Sequence, residues 1–137
     1  MSHITADQFC ERFPALILDG RGLPKKALDL NMLLLSATLG MAADRPYTEG
    51  ELNAELQKWV LAFGRGFELD HVTLRRLLID EKTISRNAGG KSYRLEAASL
   101  HYTYDASIRD LDLQALVAQA RDEREKRKQQ FMKQSRP

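Results

Sequence analysis

The side chains best suited to recognition chemistry in this 137-residue chain are arginines. Arg75 and Arg76 fall within Asp70-His71-Val72-Thr73-Leu74-Arg75-Arg76-Leu77-Leu78-Ile79-Asp80. Helical spacing there puts Leu74, Leu77 and Leu78 on one side and Thr73, Arg76 and Asp80 on the other. An arginine on such a wet face can make a bidentate contact with guanine or clamp a phosphate. Of the two, Arg76 reads as the functional residue. Arg75 reads as the structural one, an arginine that pairs with Glu49, Glu51 or Asp80 and orients helices. Arg86, Lys91 and Arg94 flank Asn87-Ala88-Gly89-Gly90. There they would grip backbone phosphates, or, on the plainer reading, keep a solvated hairpin from edge-to-edge pairing. The candidate DNA-binding set is therefore Thr73, Arg76, Arg86, Lys91 and Arg94.

Other chemistries find little support. His3, His71 and His101 are spread widely and Cys10 is the single cysteine, so no metal-ligand spacing and no intramolecular disulfide arises. Cys10, beside Phe9, reads as a packing residue. His71, just after Asp70, reads as an exposed first-turn residue. Gly89-Gly90 lacks phosphate-loop spacing and reads as a tight turn. No serine sits in a nucleophile elbow and no acids form a recognisable pair. The expectation is a protein that is not an enzyme, with no catalytic residue, cofactor or metal. A lone thiol, the lack of a basic-then-apolar leader and the lack of a long apolar run point to a cytoplasmic chain with no membrane span.

Net charge is only +2, but its distribution is uneven. Seven basic and four acidic residues lie between Arg65 and Leu95, and seven basic and three acidic from Gln119 onward. The segment between them, Glu96 to Ala118, has one basic and four acidic. Two basic zones of this kind suit a phosphate-facing surface, or form two solvated faces.

Positioning elements follow from capping and periodicity. Thr5-Ala6-Asp7-Gln8 is a capping box for a short helix with Phe9 and Phe13 on one face, expected to end or kink at Pro14. Asp19-Gly20-Arg21-Gly22 is a turn, and Pro24 is placed as the first residue of a buried helix carrying Leu28, Met32, Leu35 and Leu39. Thr48-Glu49-Gly50-Glu51 is a second capping box, with Tyr47 and Leu52 as its staple and Leu52, Leu56, Trp59 and Val60 as its inner face. Gly64 and Gly66 interrupt the chain. Asp70 caps a helix ending near Asp80. Residues 83–95 alternate around a glycine turn, a hairpin with Ile84 and Tyr93 or Leu95 inward and Arg86 and Arg94 outward. Leu100, Tyr102 and Tyr104 alternate as an extended segment. Asp110 is the expected cap of a last helix with a stripe of Leu113, Leu116, Val117 and Ala120, followed by a basic helix or tail.

This order of helix, capped helix, capped helix and hairpin implies a mainly α, α+β fold: a winged helix-turn-helix over residues 23–95, a helix and linker over 1–22, and a C-terminal helical extension over 96–137. The segments Leu23-Pro24-Lys25-Lys26, Tyr47-Thr48-Glu49-Gly50-Glu51-Leu52-Asn53, Asp70 to Asp80, Ser85-Arg86, Gly89-Gly90 and Tyr93-Arg94 resemble the bacterial domain of unknown function 2087. The Asp-x-x-x-Leu-Arg-Arg element is the most specific part of the likeness. The chain departs from it at Phe63 to Leu69, where the join is glycine-rich. The resemblance implies a transcriptional-regulator-like domain.

The expected function is nucleic-acid binding by a transcriptional regulator or accessory module, with helix 70–80 in the major groove of double-stranded DNA and the wing on phosphate. A homodimer is expected to use Phe9 and Phe13, or the stripe from Leu113 to Ala120. Two alternatives stand beside it: a protein-interaction module, because Asp70, Asp80 and Glu81 repel phosphate, and RNA binding through the basic tail, Arg121 to Arg136.

Overall fold

The computed structural model describes residues 2–96 and 102–134; Leu100, His101 and Arg136 lie outside them. Among the described residues the elements run in the order β1 (Ser2–Ile4), α1 (Ala6–Asp19), α2 (Ala27–Thr38), β2 (Tyr47–Thr48), α3 (Glu49–Phe63), a 3₁₀ turn (Gly64–Phe67), α4 (His71–Asp80), β3 (Ile84–Arg86), β4 (Ser92–Leu95), β5 (Tyr102–Tyr104), a second 3₁₀ turn (Ala106–Asp110) and α5 (Leu113–Gln134). The fold is thus mainly helical with small sheets.

Both capping boxes close as the sequence implies. Thr5 accepts from the Gln8 N–H at 3.1 Å, and Thr48 from the Glu51 N–H at 3.1 Å. In each the third helical side chain accepts a bond from the cap N–H, at 3.0 Å. Asp70 caps α4, accepting from the Thr73 N–H at 2.7 Å.

Two cores divide the interior. The first gathers Leu33, Leu34, Leu52, Leu56, Trp59, Leu74, Leu78, Ile84, Tyr93 and Leu95 from α2, α3, α4 and the hairpin. Trp59 is anchored in it by donating its indole N–H to Ser36 Oγ at 2.9 Å. The second gathers Ile4, Phe9, Phe13, Met32, Leu35, Tyr102, Ile108 and Val117. Helix α2 serves both, which is why almost its whole circumference is buried, Asp29 and Asn31 included.

The first sheet pairs the N-terminal strand with a strand about 100 residues further on. Strand β1 runs parallel to β5, with His3 opposite Thr103. Imidazole Nδ1 of His3 lies 2.7 Å from Thr103 Oγ1 and Nε2 lies 2.8 Å from Asp105 Oδ1. The second sheet has the order β2-β4-β3, all antiparallel, so the two-residue strand before α3 pairs with the far strand of the hairpin.

The structure corrects several expectations. Helix α1 does not end at Pro14 but continues to Asp19. The proline removes one backbone bond, and burial of Phe13, Pro14 and Leu16 offsets that loss. Helix α2 starts at Ala27 rather than Pro24, because the backbone is still extended at the cap residue Lys26, with ψ 133°. Asp110 closes a 3₁₀ turn, and the cap of α5 is Asp112, which accepts from the Ala115 N–H at 3.1 Å. Phe9 and Phe13 are both 0% exposed, stacked 5.0 Å apart inside the second core, and offer nothing to a dimer seam. In the alternative seam, Leu113, Leu116 and Val117 pack in that same core.

Candidate nucleic-acid interface

Helix α4 lays Leu74 and Leu78 into the first core, both 0% exposed. Geometry then turns Val72, Thr73, Arg76 and Asp80 to solvent. Arg75 points sideways, toward α3. Its guanidinium donates to Glu49 Oε1 at 3.0 Å and Asn53 Oδ1 at 2.9 Å, and only 19% of the side chain is exposed. Its Cζ also lies 5.9 Å from the Tyr93 ring centre. Arg75 is therefore a strut between α3, α4 and the sheet, with Glu49 the partner among the three carboxylates considered. Arg76, one residue on, is exposed and forms no hydrogen bond or ion pair among the described residues.

The hairpin register decides where the wing cations go. Ile84 faces Leu95, Ser85 faces Arg94, and Arg86 faces Tyr93. Opposed residues share a sheet face and successive ones alternate. Arg86 thus lies on the α4 side of the sheet, with Ile84, Tyr93 and Leu95. Arg94 lies on the opposite side with Ser85. Lys91 is exposed at the tip, where Asn87 Oδ1 accepts from the Lys91 and Ser92 N–H groups at 2.8 and 3.2 Å. Arg86 lies with its Cζ 5.9 Å from the Tyr93 ring centre and its guanidinium against Gly90. Gly90 has φ +67°, which favours glycine, and a Cβ there would come within 2.7 Å of Arg86 Nη2 and displace that guanidinium.

Arg75, Arg76 and Arg86 consequently converge on one recess of about 250 Å³, walled by Val72 and Ile79 and backed by Tyr93. Of the five candidates, Arg76 and Arg86 meet at this recess, Thr73 is on the adjoining turn of α4, Lys91 is at the wing tip, and Arg94 faces away. Val72, 42% exposed beside Arg76 at helical spacing, gives no sign of itself in the sequence, because an apolar first-turn residue carries neither charge nor polarity.

Acidic groups border the same face. The Thr73 N–H and side chain hold the Asp70 carboxylate below the usual range. Asp80 is exposed at the far end of α4. Among the described residues no group of three or more His, Cys, Asp or Glu could hold a metal ion, and no helix is long and apolar enough to cross a membrane. Cys10 is a half-buried free thiol.

The sequence model of a family described as an uncharacterized protein conserved in bacteria, DUF2087, matches residues 21–95. The chain belongs to this family. No curated protein and no solved structure matches it. The DUF2087 segment runs from the α1–α2 loop to the last hairpin residue, so it takes in the whole recess and all five candidate cations and hydroxyls. The second core is built around it from both flanks, through α1, β5 and α5.

Proposed function

We propose that residues 23–95 form a winged helix-turn-helix that binds double-stranded DNA, as a cytoplasmic transcriptional regulator or an accessory module of one. The order α2, β2, α3, α4, β3, β4, with β2 pairing on β4, supports the winged-helix reading. Helix α4 would enter the major groove, with Thr73 and Arg76 toward base edges and Arg86 and Lys91 on flanking phosphates. Arg94, on the other face of the wing, would reach only a phosphate beyond it. The observation that carries the reading is the division of labour on α4: Arg75 is taken up by internal bonds while Arg76, unpaired among the described residues, is left exposed beside the exposed Arg86.

Electrophoretic shift with random duplex DNA at two salt concentrations tests it. Binding should weaken steeply with salt and drop on Arg76→Ala. Absence of any shift by the wild type at low salt would end the proposal. A second reading is favoured by the acids on this face, Glu49 lining the recess and Asp70 and Asp80 at the two ends of α4, together with exposed Val72. On that reading the face docks a protein, and Arg76→Ala alters partner capture while DNA retention stays unchanged.

A further inference from the structure

Helix α5 has 22 residues, about 33 Å of rod, yet only its beginning is packed. Leu113, Leu116 and Val117 belong to the second core. Arg124 then fastens the rod to the last residue of α1, donating to both Asp19 oxygens at 2.7 and 3.0 Å. Every residue from Arg121 to Lys133 is exposed. At 100° per residue, the side that carries Val117 and Ala120 continues as Arg121, Arg124, Arg127, Lys128 and Phe131. Asp122 falls on the far side, and Glu123 and Glu125 lie off the stripe's margins. No acid stands within the cationic stripe itself, although Glu123 and Glu125 flank it at i,i+4 spacing from Arg127 and Arg121. The body adds Arg21, whose charge acts on the same Asp19, and the turn bearing exposed Arg65, tied to Gly22 through Gly66.

We infer that the overhanging half of α5, through Arg127 and Lys128 with Arg121, is a second polyanion-binding surface that grips the phosphate backbone of a nucleic-acid duplex apart from α4. Charge complementarity selects this occupant. A second copy of the helix would set four cations against four. Phe131 and Met132 are the sole large apolar side chains from Arg121 to Lys133, too little apolar area for a lipid surface. The inference takes its choice of polyanion from the duplex-binding reading above.

The test measures dissociation constants of the full chain for a random-sequence duplex across a salt series, for wild type, R127Q/K128Q and R76Q. Circular dichroism checks that each variant keeps its helices. Each lost phosphate contact should make the plot of log K against log salt shallower by about 0.9, so the double variant should lose about 1.8. That loss supports the inference, even where R76Q changes nothing and the α4 reading falls. An unchanged slope in R127Q/K128Q beside a weakened R76Q overturns the inference and leaves α4 standing. Binding to phosphatidylserine–phosphatidylcholine vesicles that depends on Arg127 and Lys128, with an unchanged duplex slope, also overturns it. Absence of duplex binding by the wild type at low salt overturns both.

Discussion

Replacing Arg75 with alanine removes three interactions at once. The bond to Asn53 contributes about 1 kcal/mol, and the pair with Glu49, whose carboxylate is 60% exposed, about 0.5 kcal/mol. The Tyr93 ring at 5.9 Å adds about 0.5 kcal/mol. The variant should therefore be about 2 kcal/mol less stable, which for a chain of this length is a fall of roughly 7 °C in Tm. Arg76→Ala, on an exposed side chain unpaired among the described residues, should stay within about 0.5 kcal/mol, under 2 °C. Arg75→Lys keeps the charge but not the planar guanidinium whose Nη1 donates to both acceptors and whose Cζ lies by the Tyr93 ring, and should recover less than half of the loss. Differential scanning calorimetry at neutral pH reads all three. A drop for Arg76→Ala as large as that for Arg75→Ala would refute the assignment of one arginine to structure and its neighbour to recognition, as would an Arg75→Ala variant within 2 °C of wild type.

Three further outcomes are expected. Arg12 donates to both oxygens of the nearly buried Asp29 at 3.0 and 2.9 Å, and this bonding holds the carboxyl below its ordinary value. A depressed carboxylate stabilises the fold above its unfolded pKa of about 3.9, and that stability is lost as pH falls through the lower folded value. The Tm gap between wild type and Asp29→Asn should be constant near neutrality and close below about pH 4 in a calorimetric series. Tyr102 is 2% exposed and its hydroxyl has no hydrogen-bond partner among the described residues, so Tyr102→Phe should raise stability by about 1 kcal/mol in urea unfolding. Gly90→Ala forces a left-handed alanine against Arg86; about 1 kcal/mol of destabilisation is expected, together with weaker duplex binding than a Gly89→Ala control, where the added Cβ meets open space.

The elements around the recess were legible because their signals are local. Thr48, Glu51 and Asp70 name two helix starts from side-chain chemistry within four residues, and Asn87 to Lys91 name a turn from residues that tolerate positive φ. Which wing arginine faces α4 was not legible. It depends on register, and a hairpin read as alternating apolar and polar places Arg86 and Arg94 outward without saying that they point to opposite sides. The β2 strand was hidden because Tyr47 and Thr48 also read as a staple and a cap, and two residues carry no periodicity. Strand β1 was hidden for a different reason: Ser2 to Ile4 becomes a strand only through a partner about 100 residues away. The same distance explains Phe9 and Phe13. Their spacing predicts a shared apolar face, but whether that face meets another chain or this one is decided by Tyr102, Ile108 and Val117.

That second core sets a timetable for synthesis. Closing a loop of about 100 residues costs roughly 4 kcal/mol of chain entropy, so the β1–β5 pairing becomes easier once the segment between the two strands has folded. On the ribosome, at about 5–20 residues per second, some 5–20 s separate the appearance of Phe13 from that of Val117. For that interval Phe9 and Phe13 have only part of their cover, from Met32 and Leu35 of α2 and Phe63 of α3, while the first core assembles as soon as the hairpin has emerged. The nascent chain therefore passes through a stage with a finished first core and an α1 whose apolar face is only partly covered. At that stage a holding chaperone has most to bind, and slow translation of residues 96–117 is most exposed to aggregation.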